Sequence, residues 1–164
     1  SEIVQEAKAR GYTEPDPRVD LSGMDVRRKL IILARETGIM LEATDVNITN
    51  PLPESCQAAD TVEEFFQALE KEDAYFENLV KAAEAEGKVL RMSATLDGLK
   101  ANIQLKAVDQ NHPFYTLSGS DNMIVFTTQR YKDRPLVVRG PGAGAEVTAA
   151  GVFAEILTIG NYLS

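Results

Sequence analysis

The stretch "YTEPDPRVDLSGMDVRRKLIILARE" crowds Glu14, Asp16, Asp20 and Asp25 ahead of, and into, an apolar helix that also carries Lys29. Residues four apart on a helix are neighbours about 6 Å apart at Cβ, so Asp25 and Lys29 would stand side by side. Several carboxylates with one lysine suit a small zwitterion: the acids receive its ammonium and the lysine stands near its oxygen. The plain alternative is a solvent-exposed ion pair contributing a few tenths of a kcal/mol. On spacing alone both readings stand.

A second candidate is "RGPGAGAEVTAAG". Glycines ahead of a helix leave free N–H groups at the positive end of its dipole, a place where anions bind. The glycines are out of register with a dinucleotide fingerprint, and no βαβ unit follows. A tight strand-to-helix turn, with Ala149, Ala150 and Gly151 allowing close helix packing, explains the same residues. Cys56, the single cysteine, sits in the polar stretch "LPESCQAAD" without a cationic neighbour, which predicts an ordinary unpaired thiol in a loop. His112, the single histidine, sits in the turn-like "DQNHPFY" and is not expected to be catalytic. One Cys and one His far apart predict no transition-metal site.

The elements that must position these groups are legible as patterns. Ile3, Val4 and Ala7 carry helical spacing up to a stop at Gly11. Ser22 is expected to cap a helix over 23–36, with Asp25 as its capping-box partner and Gly38 as the stop. Residues 43–48 alternate as a short strand. Val62, Phe65, Phe66 and Leu69 form one face of an amphipathic helix, continued by Tyr75, Phe76, Leu79, Val80 and Ala83 after a break near 71–73. Leu90, Met92, Ala94 and Leu96 alternate, as do Ala101, Ile103, Leu105 and Ala107, with Asp97-Gly98 as the hairpin signal between them. "DNMIVFTTQRY" and "RPLVVRG" read as two further strands, and a terminal helix runs from about Glu146 to Tyr162. Strands in succession flanked by helices predict an α+β fold: a mostly antiparallel or mixed sheet layered with helices on one face.

The 164 residues are 44% hydrophobic and 26% charged, ordinary for a globular chain. A formal charge of -8 without a Lys/Arg cluster gives no reason to expect nucleic acid or an anionic membrane as partner. No apolar run reaches the roughly 20 residues of a membrane span. The lone cysteine suits a reducing, cytoplasmic setting. The chain starts without an initiator Met and reads as a piece of a longer protein.

"YTEPDPRVDLSGMDVRRKLIILARE" and "PLVVRGPGAGAEVTAAGVFAEIL" together resemble homoserine dehydrogenase, closest to the C-terminal part of the bifunctional aspartokinase/homoserine dehydrogenases, over nearly the whole chain. The resemblance implies NADP- or NAD-dependent hydride transfer between L-homoserine and L-aspartate 4-semialdehyde, in threonine and methionine biosynthesis. It places the proton donor and acceptor on Lys29, with Asp25 beside the substrate, and substrate ligands on Tyr12, Glu14 and Asp20. Gly144, the last glycine of "GPGAG", is implied to approach the cofactor. Val19 departs from the family by replacing an acid. The resemblance further implies a homodimer or higher homo-oligomer. It divides the chain into a substrate-binding and dimerisation domain over 1–138 and a glycine-rich turn with its helix over 139–164. That helix would return to a nucleotide-binding domain absent from these residues. The competing class is a non-enzymatic amino-acid-binding regulatory module, which would want the acids but would not need Lys29.

Overall fold

The computed structural model describes residues 1–119, 121–142 and 144–163. They divide into two compact units, Ser1–Asp109 and Gln110–Ser164.

The first unit holds six helices, α1 (Glu2–Ala9), α2 (Arg18–Leu21), α3 (Met24–Glu36), α4 (Glu54–Gln57), α5 (Val62–Lys71) and α6 (Asp73–Ala85). Its three strands are β1 (Val46–Ile48), β2 (Val89–Asp97) and β3 (Lys100–Val108), in the order β1-β3-β2. The sheet is mixed: β2 and β3 are antiparallel, whereas β1 runs parallel to β3. The alternating apolar residues meet in pairs across the hairpin, Leu96 opposite Ala101, Ala94 opposite Ile103 and Met92 opposite Leu105. They set the register, because a slip of one residue would turn that whole face away from the core. The hairpin forms one residue later than its sequence signal. Asp97 still pairs with Lys100, so the loop is Gly98-Leu99. Of the two loop residues only Gly98 takes a positive φ, +57°, as expected of a glycine at the first central position of a two-residue hairpin.

Two apolar clusters fill this unit. Leu30 and Ala34 of α3 pack with Leu41, Val46, Ala101 and Ile103, joining helix to sheet. Leu52, Cys56, Phe65 and Leu69 form the other cluster, with Val4 and Leu21 against it. Phe65 is fully buried, and burial of such a side chain contributes roughly 1.5–3 kcal/mol. Two sequence expectations give way here. Cys56 lies not in a loop but in α4, fully buried, because its small apolar side chain completes the second cluster. Of the expected strand over 43–48, Ala43–Asp45 is a 3-10 turn closed by the reciprocal Glu42 and Asp45 side chains, and β1 begins only at Val46.

The second unit comprises the antiparallel pair β4 (Asp121–Phe126) and β5 (Leu136–Pro141), then α7 (Ala145–Leu163). A 3-10 turn over Pro113–Thr116 precedes them, and His112 caps it, its Nδ1 accepting from the Phe114 N–H at 3.1 Å. An apolar stripe of α7 is exposed, with Phe153 at 61% and Ile156 at 59%. Ala143, within the glycine-rich turn, lies outside the described residues.

The corner between α2 and α3 is where the sequence expectation fails most informatively. Ser22 does not cap α3. It is the C-cap of α2, in a helical conformation, and its hydroxyl donates to the Val19 carbonyl at 3.2 Å. An N-cap needs extended backbone, and Ser22 has none to offer. The cap position belongs to Gly23, at φ +83°, and a Cβ there would meet Ile103 Cγ2 at 3.1 Å. Gly23→Ala is therefore expected to destabilise the chain by about 2–4 kcal/mol, combining backbone strain with overpacking. At Gly38, φ +86° with nothing within 4 Å of a Cβ, alanine should cost only about 1–2 kcal/mol. Urea unfolding of the two variants measures the difference; equal losses would mean that the Ile103 contact is immaterial.

Candidate functional site

The acidic loop is built by local hydrogen bonds. α1 is closed by Gly11, two residues past its end, whose φ of +72° lets the Tyr12 N–H reach the Ala7 carbonyl at 2.9 Å and its own N–H reach the Lys8 carbonyl at 3.0 Å. These are the two bonds of a Schellman ending. The next residues fold back on α2, so that Asp20 Oδ2 accepts the Glu14 N–H at 2.9 Å. Pro17 is fully buried. Its fixed φ starts α2, and the Val19 N–H closes the turn onto the Asp16 carbonyl at 3.1 Å.

Beyond the Gly23 corner, α3 turns Leu30 and Ala34 into the core. Asp25 and Lys29 lie on its flank, joined Oδ2 to Nζ at 2.8 Å, with their side chains 46% and 49% exposed. The expected pair therefore forms, half in solvent. The Asp20 carboxylate is engaged by the backbone of Glu14, whose own carboxylate is exposed and has no hydrogen-bond or ion-pair partner among the described residues. Tyr12 is 75% exposed. Val19 lines an open cleft with Arg18, Ser22, Met24 and Asn50. Chemically, unit one offers a free carboxylate, a second acid bound to the backbone beside it, and an ammonium–carboxylate pair at the start of the following helix.

Gly144 belongs to the second unit. Its φ of +124° is a conformation that favours glycine, and nothing lies within 4 Å of where a Cβ would be. It opens α7, whose first N–H groups have no partner within the helix; the ladder begins with Thr148 N–H to the Gly144 carbonyl at 3.0 Å. A Cβ at Gly142 would run into the Asn122 side chain, so that glycine serves the turn. Cys56 carries no reactive signature, because burial pushes its thiol pKa up. No group of three or more His, Cys, Asp or Glu side chains that could hold a metal ion occurs among the described residues.

One residue of this region escaped the sequence reading. Arg18 donates from Nε to Asp16 Oδ1 and Oδ2 at 2.9 and 3.0 Å, from Nη2 to Oδ2 at 2.7 Å, and from Nη1 to the Ala59 carbonyl. The available signal was a lone cation within the acidic "EPDPRVD".

A homoserine dehydrogenase family model matches residues 1–157. Over 165 aligned residues the chain is 53% identical to the bifunctional aspartokinase/homoserine dehydrogenase 1, chloroplastic, of Zea mays, covering 99% of the chain and 18% of that protein. It is 47% identical to the homoserine dehydrogenase of Schizosaccharomyces pombe, covering 97% of the chain and 43% of the relative. The chain thus spans under half the length of these relatives. Among solved structures, a Candida auris protein of unknown function superposes with a TM-score of 0.88 at 40% identity, covering 98% of the chain and 45% of its own. The S. aureus homoserine dehydrogenase shares the fold, with a TM-score of 0.70 at 19% identity over 99% of the chain and 37% of that protein.

The Arg18 guanidinium holds the Asp16 carboxyl below its ordinary value of 3.8. A carboxyl lowered by folding contributes stability that is complete above its unfolded value and is lost as pH falls through the folded one. Asp16→Asn should therefore lower the urea midpoint at neutral pH, with the gap from wild type closing as pH drops below 3.8. A gap that stays constant from neutral pH down to about pH 2 would show that the ionised Asp16 contributes nothing.

Proposed function

The chain belongs to the homoserine dehydrogenase family, and from that premise we propose that it forms the substrate-binding part of an enzyme interconverting L-homoserine and L-aspartate 4-semialdehyde. The Asp25–Lys29 pair at 2.8 Å beside the acidic loop carries this reading. Glu14 and Asp20, with Tyr12 near them, receive the ammonium of the amino acid. Glu14 is the acid best placed to do so, since no group among the described residues neutralises it. Lys29 stands at the oxygen that changes between alcohol and aldehyde, donating a proton as alkoxide charge develops and accepting it in reverse. Asp25 holds the lysine in place and keeps its charge compensated.

The nicotinamide cofactor, NADP or NAD, supplies the hydride acceptor or donor when bound. The open backbone at Gly144 and the free N–H groups opening α7 fit one edge of such a cofactor, whose remaining contacts would come from a nucleotide-binding domain outside residues 1–164. In this reading 1–138 form the substrate and dimerisation domain and 139–164 return to the nucleotide domain. The whole enzyme acts in threonine and methionine biosynthesis as a homodimer or higher homo-oligomer. Fusion to an aspartokinase, as the maize relative's name states for that protein, is compatible with it. Buried, unpaired Cys56 suits the reducing cytoplasm.

Two measurements test this. Positioned acid–base groups typically supply about 10²–10⁴-fold in rate, and arginine cannot readily release a proton. Lys29→Arg in the full-length enzyme should thus keep cofactor affinity while kcat falls at least about 100-fold. A variant within about threefold of wild type would reduce Lys29 to an exposed partner of Asp25 and favour a binding module. Residues 1–164 alone should bind neither NAD nor NADP in calorimetric titration, because one glycine-rich turn lacks the adenosine and ribose contacts of a βαβ unit. Micromolar binding would contradict this.

A further inference from the structure

We propose that Arg18 is a positioning residue for the substrate: its guanidinium fastens the acidic loop to the helical layer and so fixes where Glu14 and Asp20 stand. This role rests on the homoserine-binding reading of the site. The contacts form one continuous path. Ala59, on the connection between α4 and α5, packs against the Leu52, Cys56, Phe65 and Leu69 cluster. Its carbonyl accepts from Arg18 Nη1 across 41 positions of sequence. The other donors of the fork grip Asp16, which also accepts the Arg18 N–H at 3.0 Å. Arg18 opens α2, α2 carries Asp20, and Asp20 holds the backbone of Glu14 at 2.9 Å. The path thus runs from a buried cluster to the one acid of the loop without a partner.

Arg18 does not need to touch the substrate. Its side chain is 24% exposed and its charge is already met by Asp16. What it supplies is direction. Leu21 also ties α2 to the same cluster, but an apolar contact permits rotation that a planar fork on a fixed carbonyl forbids. Lysine cannot reproduce the arrangement, because one ammonium cannot span a bidentate carboxylate and a separate carbonyl. Without the fork, the Ala59 carbonyl and Asp16 lose their partner and the loop is free to pivot on Leu21. Ligands that hold the amino-acid end bind substrate and transition state alike, so their displacement raises KM and spares kcat. Lys29, on α3 beyond the Gly23 corner, keeps its own position.

The experiment uses the full-length enzyme with Arg18→Gln and Arg18→Lys, measuring KM for L-homoserine, KM for the cofactor, kcat and Tm. Both variants should raise the homoserine KM at least about tenfold, since losing a well-placed hydrogen bond to a charged group costs about that factor or more in binding. Both should leave kcat within about threefold and the cofactor KM unchanged. A lowered Tm with an unchanged homoserine KM would overturn the proposal and leave Arg18 a structural clamp. A parallel rise in both KM values would overturn it too, as would a wild-type homoserine KM in Arg18→Lys, the variant that decides the matter should Arg18→Gln not fold. A wild-type enzyme that reduces no cofactor with homoserine would remove the reading of the site itself, and this role with it.

Discussion

The left-handed residue at Gly23 is the constraint on which the corner between α2 and α3 depends. Two helices meet there, and they answer to different cores. α2 is held by Leu21 in the helical cluster, whereas α3 is held by Leu30 and Ala34 against β3. A continuous helix through 18–36 could not satisfy both clusters, because its axis would have a single direction. The chain turns between Ser22 and Met24 at a backbone angle that costs an L-residue roughly 1–2 kcal/mol, and it turns where a Cβ would crowd Ile103 Cγ2 at 3.1 Å. Glycine is the residue that removes both objections. The result is that α2, which carries Asp20, and α3, which carries Asp25 and Lys29, meet at one glycine corner.

The electrostatics of that corner divide the acids by task. Asp16 neutralises Arg18, Asp20 accepts a backbone N–H, and Asp25 pairs with Lys29. Each of the three shapes the loop or helix that carries it. Only Glu14 keeps an uncommitted carboxylate among them, and it is exposed. A site for an ammonium group needs at least one acid whose charge the protein has not already answered, held by others whose charges it has. Organising the loop by charge-assisted hydrogen bonds, stronger than neutral ones, limits the conformational freedom that binding would otherwise have to remove.

How far sequence reached depends on whether the deciding contact is local. The β2–β3 hairpin was legible because alternation and a turn glycine are carried by adjacent residues, and its loop lies one position later because Asp97 still pairs with Lys100. The break between α5 and α6 and the stop at Gly38 were legible for the same reason. Ser22 as a cap was a local inference overruled from outside: α2, a four-residue helix fixed by Pro17 and Leu21, had already claimed it. Cys56 looked like a loop residue until α5 and Leu52 closed over it. The Asp25–Lys29 contact needed only helical spacing and forms, whereas the Arg18 fork depends on a carbonyl at Ala59 that no local pattern announces.

The two units differ in what makes them stand. Unit one encloses its own apolar clusters. α7 buries none of its residues, although its sequence is rich in valine, isoleucine, leucine and alanine. A helix of this kind draws little stability from propensity, since Gly151, Gly160 and several β-branched residues lower it, and most helical stability in proteins comes from packing an apolar face. An exposed apolar stripe that includes Val152, Phe153, Ile156 and Ile159 is larger than scattered surface hydrophobics explain. In the proposed enzyme the cover is the nucleotide-binding domain. The same helix that opens on the free N–H groups beside Gly144 would then be fixed by the surface that carries the cofactor, so that closing the apolar stripe and building the cofactor edge become one event.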